Sequence, residues 1–339
     1  MELNFEQGVL LSKHTTFQVG GTANLFVCIQ NELQLEAAVQ YGKKNELPIR
    51  ILGGGSNILA ADEGFSGLII KNEITGIEVL SEDESVAELR VGAGENLDAL
   101  VEFCAEKEYW GIENLSHIPG TVGAAPIQNV GAYGVEIESV VTKVRAYHVP
   151  TETFAEFTTT ECAFSYRDSF FKSDTGREYI VTAVEFSLRT IPQPNLSYKD
   201  LQSLQSEAAV TLQDIRTAVI GIRAAKFPDW TTVGTAGSFF KNPIIDQAHY
   251  NELCKSYPEL PGFSAGEGRV KVPLGWILDK VCQIRGVQEG AVGSYEGQAL
   301  VVVNYGGASA TEIKNFAEKI SQKVFTDTKI VIEWEVTRW

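Results

Sequence analysis

Apolar and polar positions follow two rhythms along the chain. Over residues 31–45, NELQLEAAVQYGKKN, the apolar residues Leu35, Ala38 and Val39 share one face at helical spacing, with Asn31 at the N-cap position and Gln34 at N3. The stretches IRIL, GLIIKN and ELRVG predict short strands parted by glycine-rich loops, and NLDALVEFCAEKE predicts a second amphipathic helix. Strands resume at VTKVRAYHV and EYIVTAVEFSLR. Further along, TLQDIRTAVIGIRAAK predicts a helix capped by Thr211 and Asp214, with a stripe of Ile215, Val219 and Ile222 and a stop at Pro228. VPLGWILDKVC predicts a buried helix and QALVVVNY a central strand. SATEIKNFAEKISQKVF predicts a helix opened by Ser309 with Glu312 at N3, and KIVIEWEV a final strand.

Two places break the rhythm. Residues 111–137 are rich in Gly, Pro, Asn and small side chains and hold neither period, which predicts loop and short turns. A loop of that length in a compact chain is usually functional. Near residue 190, IPQPNLSYKDL carries two prolines and reads as a connection. Helices and strands mix without a steady βαβ alternation, so the fold class expected is α+β. A chain of 339 residues suits two or three packed units.

Composition narrows the possible ligands. A formal net charge of −16 argues against a nucleic acid or an anionic membrane as partner, yet local cations and main-chain N–H groups can still hold a phosphate. The five cysteines are scattered without a CxxC pair, which predicts neither a disulfide framework nor a metal site and fits a reducing compartment. No signal-peptide pattern opens the chain, and no apolar run approaches the roughly 20 residues that span a bilayer, so a cytoplasmic location is expected.

Four motifs carry candidate chemistry. In 51-ILGGGSNILAADEGFSGLII-70, consecutive glycines allow close main-chain approach to an anion, with Ser56 and Asn57 adding side-chain donors. Ile58 stands where a Rossmann fingerprint would need its third glycine, and no GK[ST] follows, so neither standard phosphate motif applies. A tight surface turn would have a similar composition. The small residues of GTVGAAPIQNVGAYG, 120–134, suit main chain wrapped on an extended ligand, with Gln128 and Asn129 able to bond it; a loop packed on itself is the alternative. CAFSYRDSFFK sets Tyr166, Arg167 and Asp168 among aromatics, where the arginine suits either a carboxylate ligand or a structural pair with Asp168. Arg223 and Lys226 lie one helical turn apart and, with Lys241, form either a cationic wall or a solvated face.

Ser238, in 235-TAGSFFKNP-243, admits several roles. No GxSxG elbow surrounds it, and none of the four histidines lies in a segment built to activate it. An unactivated hydroxyl is too weak an acid for oxygen or nitrogen leaving groups but sufficient for a strongly basic carbanion. That points to a C–H bond formed beside an electron-withdrawing group.

With these residues in view, the chain closely resembles the UDP-N-acetylenolpyruvoylglucosamine reductase family of cell-wall precursor synthesis. LGGGSNIL, IPGTVGAAPIQNVGAYG, YRDSFFK and GSFFKNP occur in that order between HTTFQVGG and EWEV, and SYKDL resembles the subgroup with an extra tyrosine loop. The resemblance implies an N-terminal two-part FAD-binding region of the vanillyl-alcohol-oxidase/PCMH type and a C-terminal α+β substrate-binding domain. The boundaries expected are 1–190 for the flavin region, completed by the strand 329–339, then a connection over 191–210 and a substrate domain over 211–328. It implies non-covalent FAD, NADPH as reductant and the enolpyruvyl ether of UDP-N-acetylglucosamine as substrate. A monomer acting on small molecules, with no nucleic acid, membrane or metal, is expected. The flavin would be held by Gly53, Gly54, Gly55, Ser56, Asn57 and Ile58. It would also meet Pro119, Gly120, Thr121, Gly123 and Ala124, and Gln128, Asn129, Gly131, Ala132, Tyr133 and Gly134. Ser238 matches the proton donor, Arg167 the activating arginine and Glu335 the C-terminal acid. Tyr166, Tyr198, Arg223, Lys226 and Asn242 match substrate-contacting positions. Trp334 stands where the family usually has proline, and Thr337 where it has arginine, which leaves Glu333 as the alternative acid. Two rivals remain: another FAD-dependent oxidase of the same superfamily, and a flavin or sugar-nucleotide binder without catalysis.

Overall fold

The computed structural model describes residues 3–206 and 209–339; Glu207 and Ala208, within the expected connection, lie outside it. The chain divides into two units, one of residues 1–9, 23–55 and 65–223, the other of residues 10–22, 56–64 and 224–339.

The first unit holds two sheets. In one, Thr22–Ile29, Phe65–Asn72 and Ile49–Leu52 run parallel, with Glu6–Leu10 at the edge. The helix Glu32–Lys44 covers it, burying Leu35, Ala38 and Val39 against Ile29, Leu68 and Ile70. Asn31 Oδ1 accepts from Gln34 N at 3.0 Å, the cap read from the sequence. The parallel strand Thr22–Ile29 was not among the predicted elements. Its apolar residues run nearly continuously, and the residues it pairs with, such as Phe65 opposite Ala23, lie far along the chain. The other sheet is antiparallel, ordered Thr153–Thr158, Val141–His148, Tyr179–Arg189, Val86–Gly92, Ile77–Glu82. Ala87, Leu89 and Val91 alternate inward and pack beneath Leu97, Leu100 and Val101 of the helix Leu97–Glu106. Residues 111–140 hold only single 3-10 turns and a two-residue ladder, as the loss of period predicted. The helix Leu212–Lys226, with Thr211 and Asp214 bonded reciprocally at its start, buries Leu212, Ile215 and Val219 against Trp110, Tyr133 and Leu201.

The second unit is built on an antiparallel sheet of Gly234–Ser238, Val301–Asn304, Val292–Ser294 and Gln288–Glu289. The helix Ala310–Thr328 packs Ile313, Phe316, Ile320 and Val324 into its core, each contributing about 1.5–3 kcal/mol of transfer free energy. Its start carries the full capping box of Ser309 and Glu312, and Asp62 adds bonds to the N–H groups of Ala310 and Thr311 at 2.7 and 2.9 Å. A smaller sheet of Ile244–Asp246, Arg269–Lys271 and Phe263–Ser264 stands beside the helix Gln247–Ser256. The buried helix expected over 272–282 begins at Leu274 and widens to a π-helix over Ile277–Val281. The strand expected over 329–336 is not regular. Lys241 N bonds Glu333 O and Glu335 N bonds Phe239 O, both at 2.9 Å, with a bridge between Phe240 and Trp334. The ladder is confined to Thr337–Arg338, which pair in parallel with Ile58–Leu59.

Candidate active site

In the first unit the glycine-rich loops meet main chain to main chain. A Cβ on Gly54 would stand 2.8 Å from Gly120 Cα, one on Gly53 2.6 Å from Thr121 Oγ1, and one on Gly123 2.5 Å from Ala93 Cβ. Gly53–Gly55 thus lie closely against the 120–134 loop, main chain on main chain where Gly54 meets Gly120, and Gly55 takes φ 65°. Ser56 and Asn57, next in sequence, belong to the second unit, where Asn57 Nδ2 donates to Glu335 O at 3.2 Å and Asn57 O accepts from Thr337 N at 3.0 Å.

Left-handed backbone occurs at several residues of this region. His117, Asn129, Tyr133 and Arg167 have φ of 59, 44, 50 and 55°, a conformation costly for a side chain unless its surroundings enforce it. For Arg167 the enforcement is visible. Ser165 and Asp168 exchange both main-chain bonds at 3.1 Å, leaving Tyr166 and Arg167 as the two tip residues of a tight hairpin. Arg167 Nη2 donates to Gly131 O at 2.7 Å, Lys172 Nζ donates to Arg167 O at 2.8 Å, and the guanidinium lies 5.5 Å from the Tyr166 ring. Asn129, wholly buried, donates to Ser165 O at 3.1 Å and so ties the hairpin to the 120–134 loop.

Tyr133 joins the remaining substrate candidates of this unit. Its ring meets Tyr198 edge-on at 5.2 Å, and its hydroxyl bonds the Arg223 guanidinium. Burial pushes the Arg223 pKa down, while the Tyr133 hydroxyl and Asp98 push it up. Arg223 Nε donates to His117 O at 2.9 Å. Beneath, Asp98 receives both Nη atoms of Arg216 and the His117 N–H. Burial raises the Asp98 pKa, but the Arg216 and His117 bonds outweigh it, so the carboxyl sits below its ordinary range. Sequence reading missed this pair: its members are 118 positions apart, and nothing in either segment marks the other.

In the second unit Ser238 ends a strand with a bulge. Thr235 opposes Val303 and Ser238 opposes Val301, so one residue too many separates them on the Ser238 side, and Gly237 takes φ 74° there. Bulges of this kind re-aim the following side chain and recur beside active sites. Phe239 and Phe240, buried in the core, anchor the chain just past it and pack edge-on against Trp334. Glu335 thus lies opposite Phe239, one step from Ser238, and is half-buried. Glu333 is turned to solvent and paired with Lys241 Nζ at 3.1 Å. Asn242 Oδ1 accepts from Leu274 N at 2.9 Å and so opens that helix. Lys226 is the last residue of the helix that also carries Arg223.

The model of the family described as FAD binding domain matches residues 23–156, and that of the UDP-N-acetylenolpyruvoylglucosamine reductase C-terminal domain matches residues 229–339. A UDP-N-acetylenolpyruvoylglucosamine reductase of Porphyromonas gingivalis is 38% identical over 336 residues, covering 98% of this chain and 99% of that protein. The chain belongs to the UDP-N-acetylenolpyruvoylglucosamine reductase family. A reductase of this family from Amoebophilus asiaticus is 39% identical over 337 residues, 98% of this chain and 99% of its own. The crystal structure of the family member from Thermus caldophilus shares the fold, with TM-score 0.71 at 23% identity over 100% of this chain and 99% of that one. The family assignment makes this an FAD-containing oxidoreductase, an α+β protein with a flavin-binding and a reductase-specific domain. Bare main chain at Gly53–Gly55 and Gly120 is chemically suited to a flavin pyrophosphate, which main-chain N–H groups can bind.

Proposed function

We propose that the chain reduces the enolpyruvyl ether of UDP-N-acetylglucosamine to UDP-N-acetylmuramate with NADPH, an activity carried by its kinship with named reductases along nearly its whole length. Gly53–Asn57 and the 119–134 loop hold the FAD. When bound, FAD would supply the two-electron chemistry by which a hydride equivalent from NADPH reaches an alkene carbon of the substrate. The neighbouring carbon then carries negative charge, delocalised into the substrate carboxylate.

The chain's own residues meet that charge. Arg167, pinned at a hairpin tip by Gly131 O, offers a fixed cation to the carboxylate without rearranging. Glu335, as a neutral acid, donates a hydrogen bond to the same charge. Ser238 gives its hydroxyl proton to the carbon and recovers one from solvent, so a hydride and a proton together saturate the double bond. What supports these roles is proximity along the backbone: the bulge at Gly237 immediately precedes Ser238, and Glu335 N bonds the carbonyl of the next residue, Phe239, at 2.9 Å. Glu335 suits the acid better than Glu333, which is committed to Lys241. Tyr166, Tyr198, Arg223, Lys226 and Asn242 bind substrate, the cations taking its pyrophosphate.

The enzyme acts on small molecules, and among the described residues no helix is long and apolar enough to cross a membrane. We place it in the cytoplasm as a monomer. In stopped-flow experiments Ser238→Ala is expected to keep fast flavin reduction by NADPH, while reoxidation by the enolpyruvyl substrate should slow on the order of 10²-fold or more. Two fast half-reactions would remove Ser238 from the mechanism.

A further inference from the structure

Asn114 is wholly buried. Its Nδ2 donates to Tyr133 O at 2.8 Å and to Asn195 O at 2.9 Å, while its Oδ1 has no partner among the described residues. A leucine has the same branching without the cost of an unpaired buried oxygen; what asparagine adds is the two N–H bonds. Those bonds join two stretches far apart in sequence: the turn at Tyr133–Gly134 and the segment that leads to Tyr198. Asn195 returns the link. Its Nδ2 donates to Gly134 O at 2.9 Å, and its Oδ1 accepts from Ser197 N at 3.2 Å and Ser197 Oγ at 2.7 Å. The turn itself is left-handed at both residues, φ 50 and 87°, and a Cβ on Gly134 would stand 3.0 Å from Ser197 Oγ.

We propose that Asn114 and Asn195 are positioning residues for substrate binding: together they clamp the Tyr198 segment onto the Tyr133–Gly134 turn. The bonds fall on main chain, so the clamp sets the path of the segment whatever its side chains do. Ahead of the clamp's far side, Gln205 Nε2 donates to Leu196 O at 3.0 Å and Leu196 packs beside Leu201, so the two asparagines act where the segment first leaves the surface. Residues 191–200 are mostly exposed, and Leu201 is its first fully buried side chain. Without the clamp, the edge contact between Tyr198 and Tyr133 has no fixed base, and Tyr133 also bonds Arg223. The inference rests on the proposed role of Tyr198 and Arg223 in substrate binding.

The test uses the FAD-loaded full chain and two readouts. Lys199 is exposed and is the lone trypsin site between Arg189 and Arg216, so its cleavage rate reports release of the segment without any turnover. Asn195→Asp keeps the acceptor for Ser197 and loses the donor to Gly134; being half-buried, it leaves the core intact. Asn114→Leu removes both of its links. Each variant is expected to be cut after Lys199 at least fivefold faster than wild type and to show a KM for the enolpyruvyl sugar nucleotide raised at least fivefold. The kcat and the rate of flavin reduction at saturating NADPH stay within twofold. Unchanged cleavage in Asn195→Asp would overturn the clamp. Faster cleavage with unchanged KM would overturn its role in substrate binding. If wild-type enzyme oxidised no NADPH with this substrate, the activity itself would fall, and that result is told apart because it appears before any substitution is made.

Discussion

The pair of Asp98 and Arg216 gives a prediction whose size follows from its geometry. Arg216 is only 6% exposed and places both Nη atoms on the Asp98 carboxylate, which also receives the His117 N–H. Asp98→Asn preserves shape but removes the charge, leaving a buried guanidinium with only the mostly exposed Glu102, 3.8 Å away, as an anion. Breaking such a pair costs about 3–5 kcal/mol, and water reaching the quarter-exposed Asp98 side chain places this case near the lower end, about 3 kcal/mol. For a unit of this size that lowers Tm by roughly 6–12 °C at neutral pH. The pH dependence fixes the cause. The folded pKa of Asp98 is depressed, so its contribution is complete above the unfolded value near 3.9 and is lost as pH falls through the folded value. Wild type and variant should therefore converge in strong acid. Calorimetry and circular dichroism from pH 7 downward measure both effects. The paired replacement Asp98→Leu with Arg216→Met should recover much of the loss, since apolar pairs of similar volume are well tolerated. A loss under about 1 kcal/mol at pH 7, or a difference that does not shrink in acid, would refute the reasoning.

Three further outcomes follow. Gly54→Ala drives a methyl into the main chain at Gly120, 2.8 Å away, so the purified protein should retain at least tenfold less FAD by absorbance near 450 nm, by the same logic that makes such glycines obligatory. Glu335→Gln should slow flavin reoxidation by substrate on the order of 10²-fold, while Glu333→Gln, whose carboxylate pairs with Lys241, stays within a few fold; equal losses would reassign the acid. Burial drives the thiols of Cys162 and Cys282 up to about 12 and raises that of Cys104 further, so iodoacetamide at pH 8 should modify exposed Cys28 and leave those three until denaturant is added, as peptide mapping would show.

Local signals in the sequence translated well into structure. The caps at Asn31, Thr211 and Ser309 each need only a side chain and an N–H three residues away, and all three form. The absence of any period over residues 111–137 likewise foretold turns rather than elements. The close packing of Gly54 on Gly120 was not legible, because a glycine run does not say which loop it will meet. What escaped is non-local. The strand Thr22–Ile29 is defined by its partner across a parallel crossover, and its nearly unbroken apolar run gives no alternation to detect. The final strand was anticipated over 329–336, but the apolar alternation there serves the core, while ladder pairing begins only where Ile58–Leu59 become available. Asn114 looks like any loop asparagine, and only the position of Asn195, 81 residues on, gives it meaning. The Gly237–Ser238 dipeptide stands out in the sequence, while the bulge just before Ser238 depends on the register of Val301 and Val303.

The composition of the second unit has a consequence for how the protein is made. Its core includes Phe17 and Leu59, while most of its partners lie beyond residue 224. At about 5–20 residues per second, a ribosome needs on the order of ten seconds or more to add the stretch from 64 to 224. During that interval the early apolar side chains have emerged but their neighbours have not yet been translated. Nascent chains are thus exposed to aggregation at just these two stretches. A separately expressed fragment of residues 224–339 would lack the aromatic ring that stacks edge-on against Phe239 and the aspartate that caps its longest helix.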